Sequence, residues 1–420
     1  MKTSTLPLCL AASLCAGAAA AQEDTIRIGF PVFLSGAAAG PFGLPERNAA
    51  ELVLEALNAG EVPAPYDGTG INGRTIEATF IDEASDPVVE YRNLVERSGV
   101  EVVIGYTSSG NCKSVAPVAE ELRTFTVLID CGTPQVFEEV VTDPTYLFRT
   151  GLTSTGDAVA AARYLVDMDY DLGRVAGINQ NYAWGQDNWR DFTASLVALD
   201  TGSEIVSEQF PQLFAGQYGA EASALLTSTP SVIFSSFWGG DLEAFVLQAA
   251  PRGIFARSAI VLSAGEALLP VMPDEIPEGT ILSSRGPFSI FAPENELGEW
   301  FESSYRERFG NMPTFPAWKM AQAIMGVKAA YEKAGEGADG EAAAAAMENL
   351  EFEAPSGTVR MANGKGHQAI QGVGYGTYVL EDGEPSVENV KFYAAECVSP
   401  PADTTAQAWI EAGFPGAQCD

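Results

Sequence analysis

Thr107, Ser108 and Ser109 stand between Gly105 and Gly110, directly after the apolar run Val102 to Ile104. Small hydroxyls delivered by a buried strand suit three kinds of chemistry. If a helix follows, capped by Asn111 or Ser114 and carrying Val115, Val118 and Leu122 at helical spacing, its free amides and the hydroxyls would hold an anion such as a carboxylate. In the plainer alternative the hydroxyls only cap that helix. The third is nucleophilic: a secreted serine hydrolase would use Ser108 or Ser109. Yet Tyr106 ahead of Thr107 breaks the Gly-x-Ser-x-Gly elbow, and the single histidine, His367, lies in a turn-like stretch from Asn363.

Other binding groups fall just after other apolar runs. Phe42 follows residues 25–33, and Thr133 follows 125–129. Tyr182 and Trp184 follow 174–179, Phe237 and Trp238 follow 231–235, and Glu266 follows 259–262. Singly, each aromatic reads more readily as core packing or loop shielding than as a ligand wall, and Glu266 as a solvated or capping carboxylate. On one shared rim, hydroxyls and amides facing aromatics and a carboxylate would suit a zwitterion with an apolar part. Nothing supports a redox or nucleotide cofactor, because the glycines at 36–40 and 372–376 are too loosely spaced for a dinucleotide fingerprint. Zinc is disfavoured too, since the cysteine spacings fit no template and one histidine is available.

The elements that must place these residues alternate strictly. Strands are expected at 25–33, 75–81, 100–104 and 125–129, with helices at 45–58, 86–98 and 112–122 between them. Asp86-Pro87 is a cap followed by a first-turn proline, and the Pro- and Gly-rich stretch 61–73 is a surface loop. After a pause at 146–151 a second series runs to residue 262, then a mainly helical region at 294–350, and a hairpin around Glu381 to Glu384. Alternation of this kind specifies parallel sheets covered by helices, with ligands beyond the carboxyl ends of the strands. The fold class is therefore α/β, in two doubly wound lobes.

The remaining bounds come from composition. The 420 residues carry a net charge of −33 with the acids dispersed, which excludes nucleic acid as a natural partner. Residues 1–21, with Lys2, an apolar stretch and an Ala19-Ala20-Ala21 end, have the pattern of a cleaved secretory signal. Export makes disulfides the expected state of the four later cysteines, which allow three pairings. The expected pairs are Cys112 with Cys131, at the ends of consecutive strand-loop units, and Cys397 with Cys419, closing the tail.

From Ile28 to Gly36, at Asn58 to Gly60, Ile71 to Arg74, Asp82 to Pro87, Val103 to Ser109, Phe148 to Thr150, Tyr182 to Gly185 and Gly357 to His367, the chain resembles the branched-chain amino-acid-binding family of type I periplasmic binding proteins. These are the receptors of ABC importers. The resemblance implies two Rossmann-like lobes joined by three hinge crossings: residues 24–149 with 285–355, and 150–284 with 356–395, leaving 396–420 as a tail. It implies a periplasmic receptor, without catalysis, that closes on an amino acid or related small carboxylate and delivers it to a membrane permease. Ser108 or Ser109 and Thr133 match the carboxylate-holding positions, Trp184 and Trp238 the aromatic lining, Glu266 the acid that meets the ammonium, and Phe42 a covering ring. Two tryptophans fall where smaller phenol rings are common, which leaves an aromatic acid or an amide- or urea-like solute as the alternative ligand.

Overall fold

Successive residues of the run Val102-Val103-Ile104 pack into different cores, Val102 and Ile104 on one side and Val103 on the other. A strand whose every side chain is buried, on both faces, belongs inside a helix-covered parallel sheet. The computed structural model describes residues 25–419; the expected secretory segment 1–21 lies outside the described residues.

The first strands are β1 (Thr25–Val32), β2 (Thr75–Asp82), β3 (Val102–Gly105), β4 (Phe125–Leu128) and β5 (Leu147–Arg149). The second series is β6 (Arg174–Ile178), β7 (Glu204–Gln209), β8 (Val232–Ser235), β9 (Ala259–Leu262) and β10 (Ile281–Ser283). Late in the chain come β11 (Glu351–Ala354), β12 (Gly357–Asn363), β13 (Gln368–Ile370), β14 (Val373–Glu381) and β15 (Glu384–Tyr393).

Two sheets result, each with the same doubly wound heart: β2-β1-β3-β4-β5 in one and β7-β6-β8-β9-β10 in the other, all parallel. The late strands extend the edges. β13 pairs parallel with β5 and carries β12 and β11 antiparallel beyond it, whereas the hairpin β14-β15 docks antiparallel on β10. This corrects the expected division of the chain. Residues 357–370 hydrogen-bond into the first sheet, not the second, so the last crossing lies between Ile370 and Val373 instead of at 355–356. The other crossings leave β5 at Arg149 and β10 at Ser283.

Local signals act as their chemistry requires. Asp86 accepts hydrogen bonds from the amides of Val88 and Val89 at 3.1 Å, and Pro87 opens the helix Pro87–Arg92. Gly105 ends β3 because a Cβ there would collide with the Pro31 carbonyl. Cys112 is joined to Cys131 and Cys397 to Cys419, with Cα separations of 6.2 and 4.7 Å. The first bond ties the helix Ser109–Glu121 to the loop after β4.

Candidate functional site

The carboxyl ends of the two sheets face one another across a cleft that the chain itself draws shut. Gly240 N donates to Ala37 O at 2.8 Å, the Phe42 and Trp238 rings meet edge-on at 5.0 Å, and Thr133 Oγ1 donates to Asp187 Oδ2 at 2.5 Å. Three residues on this rim hold left-handed backbone conformations that side chains disfavour: Tyr106 after β3 (φ 65°), Cys131 after β4 (φ 61°) and Arg285 after β10 (φ 55°). Such conformations persist where surrounding contacts fix them, and they gather at sites of recognition.

The hydroxyl loop is an anion nest, but its anion is the chain's own. The amide of Thr107 donates to both carboxylate oxygens of Glu83 (3.0 and 2.9 Å) and that of Ser108 to one of them (2.8 Å), with Asn111 Nδ2 adding a bond at 3.2 Å. Thr107 Oγ1 donates to Glu46 at 2.6 Å, and Ser109 Oγ accepts from Thr133 N at 3.3 Å. The expectation that this loop holds a ligand carboxylate therefore meets a competitor: Glu83, fully buried, has taken the amides. Burial pushes its carboxyl up to about 7 against the pull of those donors. The capping alternative is not realised either, because Ser108 makes no side-chain cap bond.

The strongest polar feature is one that the sequence did not announce. Arg285, 4% exposed, ion-pairs with Asp130 of the first lobe at 2.5 Å and Asp157 of the second at 3.0 Å, while its guanidinium lies 4.0 Å from the Trp184 ring centre. Lys319, fully buried on the helix Phe315–Ala334, reaches Asp130 at 3.1 Å. Gly132 admits this stack, since a Cβ there would strike both the Trp184 ring and the Arg285 guanidinium. Paired charge holds Asp130 below the usual carboxylate range although it is buried; burial draws Lys319 down to about 8 and lifts Asp157 to about 6. Lys319 left a trace in the sequence, as a cation set between the apolar residues Trp318 and Met320. Asp130 and Arg285 left none, because an isolated charge after a strand looks like a surface residue.

The expected aromatics do converge. Trp238 packs against Phe42, Phe33 (5.8 Å) and Phe214 (5.3 Å), and its Nε1 donates to the Tyr182 hydroxyl at 2.8 Å. Trp184 Nε1 donates to Ser236 O at 2.7 Å, leaving its face to Arg285. Glu266 is fully buried and pushed up to about 7 by burial, but one oxygen accepts from the amide of Phe315 at 2.9 Å, so it closes one lobe on the other's helix. His367 is engaged elsewhere: Nδ1 lies 2.8 Å from Leu147 O, and the ring stacks on Phe148 at 4.1 Å.

Among the described residues, six buried atoms of charged side chains in this cluster lack a hydrogen-bond partner: Arg285 Nη2, Glu46 Oε2, Asp157 Oδ1, Glu266 Oε1, and Asp130 Oδ1 and Lys319 Nζ, the last two facing each other as an ion pair at 3.1 Å. Buried polar groups are ordinarily satisfied, so a concentration of exceptions on one rim marks where recognition is still available.

The profile described as periplasmic binding protein matches residues 25–383. The chain belongs to the periplasmic binding protein family. Within it, the resemblance to the branched-chain amino-acid-binding group holds: Leu/Ile/Val-binding protein homolog 1 of Brucella abortus (strain 2308) is 25% identical over 270 residues, covering 61% of this chain and 65% of the relative. The match thus spans 65% of the length of that curated relative. Among solved structures, this periplasmic binding protein is similar to an ABC-transporter solute-binding protein of Rhodopseudomonas palustris BisB5 in complex with 3,4-dihydroxy benzoic acid (TM-score 0.78, 23% identity, 91% of this chain and 100% of that one). It is also similar to a leucine-binding protein of Thermotoga maritima MSB8 (TM-score 0.70, 18% identity, 87% and 98%). These structures share its two-lobed fold.

Proposed function

We propose that this protein is a periplasmic solute receptor of an ABC importer, and that it encloses an amino acid or related small carboxylic acid between its lobes. The observation that carries the reading is Arg285: a buried cation on an aromatic face, held by a carboxylate from each lobe, with Nη2 unpartnered. A ligand carboxylate on that nitrogen would complete a charge-assisted bond only when the lobes are together, which couples binding to closure. The unpartnered oxygens of Glu46 and Glu266 are acceptors for a ligand ammonium or hydroxyl. Thr107, Ser108, Ser109 and Thr133 then shape the wall and latch the lobes, and Phe42, Tyr182, Trp184 and Trp238 enclose the apolar part.

A second reading, an aromatic hydroxy acid, is favoured by the wall of Phe42, Trp238 and Phe315, whose rings stand edge to face at 5.0 and 5.4 Å. The dihydroxybenzoate complex of the R. palustris relative supports this alternative. A thermal-shift panel of leucine, benzoate, 4-hydroxybenzoate and benzamide separates them. A solute at about 1,000 times its dissociation constant adds roughly 4 kcal/mol of stability. Stabilisation by benzamide alone would sink the carboxylate reading, and a flat panel the receptor reading.

A further inference from the structure

A cavity of about 300 Å³ lies at the hinge, where the crossing after β5, the segment around β12 and β13, and the tail from Ser399 to Ala406 meet. None of its lining residues belongs to the cleft cluster. The charged side chains that line it include Arg149 and Glu138. Arg149 is 1% exposed and donates to the Gln368 side chain and to the carbonyls of Cys131 and Thr133, all neutral acceptors. Among the described residues no carboxylate stands at ion-pair distance from it, and its Nη2 makes no hydrogen bond. A buried guanidinium without a counter-ion is costly, and burial draws Arg149 down to about 9. Glu138, partly buried, spends one oxygen on the amide of Ala406 at 2.8 Å, and burial raises its carboxyl. Phe137, Leu152 and Ile370 give the same cavity apolar walls.

We propose that this hinge cavity is a second ligand site, which takes a small zwitterion with an apolar side chain, an α-amino acid, its carboxylate on Arg149 and its ammonium on Glu138. The volume suits a molecule of that size. The roof lies beyond the family match, which ends at residue 383, and it is the tail that closes the cavity. That tail touches both lobes. Asn363 Nδ2 donates to Pro400 O at 2.9 Å on the first, while the helix Ala406–Glu411 packs on the helix Ala183–Ala198 of the second. An occupant would therefore bear on the hinge itself.

The test uses the full mature chain with alanine methyls labelled for NMR, since Ala369 and Ala406 line the cavity. The probes are leucine, 4-methylpentanoate, which lacks the ammonium, and 3-methylbutylamine, which lacks the carboxylate. Leucine at millimolar concentration should shift both methyl resonances, with each half-probe at least tenfold weaker. Ala402→Trp, which places an indole over the cavity from an exposed rim position, should abolish the shifts, and Glu138→Gln should weaken leucine at least tenfold while leaving the 4-methylpentanoate response intact. The proposal is overturned if leucine leaves both methyls unmoved, if Ala402→Trp responds as the wild type does, or if 4-methylpentanoate binds as well as leucine.

Discussion

The loop after β3 and the segment after β10 both leave the carboxyl end of a sheet, and both carry groups suited to a carboxylate. They differ in what has already been satisfied. The loop's amides at Thr107 and Ser108 close on Glu83 within 2.8 to 3.0 Å, so the nest folds around an internal anion. Arg285 is held from both sides by Asp130 and Asp157, yet keeps one nitrogen uncommitted. A motif that looks like a binding site by composition can thus be consumed in building the fold, while the group left uncommitted is one placed by tertiary structure.

The comparison breaks most sharply at Arg285. Arg285→Met leaves Asp130 and Asp157 buried with only Lys319 as compensation, so stability should fall by about 3–5 kcal/mol in urea unfolding, as for a severed buried pair. Calorimetry on the folded fraction should show carboxylate binding reduced by more than about a hundredfold, nearly 3 kcal/mol. Arg285→Lys restores a charge without the planar fork, and should regain much of the stability but little of the affinity. If Arg285→Met binds normally, the loop after β3 is the grip after all.

The complementary substitution is Glu83→Ala, which strips the nest of its anion. Three donors lose their acceptor, and the expected cost is about 1–3 kcal/mol of stability. Affinity in the cleft should change by less than about threefold, under 1 kcal/mol. A large gain or loss in affinity would show the ligand competing for those amides.

A pH scan tests the same contrast without mutation. Glu83 and Glu266 are both raised from 4.5 to about 7, chiefly by burial. A carboxyl raised in the folded state binds its proton more tightly there, so its contribution is fully present below about 4.5 and is lost as pH climbs through about 7. Urea midpoints should therefore decline between pH 5 and pH 8, and Glu266→Gln should flatten part of that slope. A profile that rises across this window contradicts the burial of both groups.

How far the sequence foretold this arrangement depended on whether the signal was local. The alternation of strands and helices, the Asp86-Pro87 cap and the hairpin β14-β15 are short-range patterns, and they appear as read. Phe42, Trp184 and Trp238 converge because strand ends share one rim, which follows from topology. Glu83 was hidden because a carboxylate after an apolar run resembles a solvated residue, and nothing nearby shows that two amides 24 and 25 positions on will enclose it. Arg285 and Asp130 are 155 residues apart and meet only once both lobes exist. The misplaced crossing has the same origin: β12 and β13 are short strands whose sheet is decided by Gln368 pairing with Arg149, not by composition.

The smallest effect belongs to Thr133, the residue on which the two halves of the comparison touch. Its hydroxyl donates across the cleft to Asp187, while Asp187 also accepts from Gln135 Nε2 at 3.0 Å and ion-pairs with Arg190 at 2.8 Å. Thr133→Val preserves shape, removes one bond from a carboxylate that keeps its other partners, and takes away the weaker bond that the hydroxyl accepts from the Gln135 backbone amide at 3.2 Å. The cost should be about 1 kcal/mol. Because the bond exists only when the lobes meet, it should appear as a faster ligand dissociation rate, about fivefold by stopped flow, with association little changed. A loss beyond about a hundredfold would mean that Thr133 touches the ligand directly, and the loop side of the cleft would regain its half of the carboxylate grip.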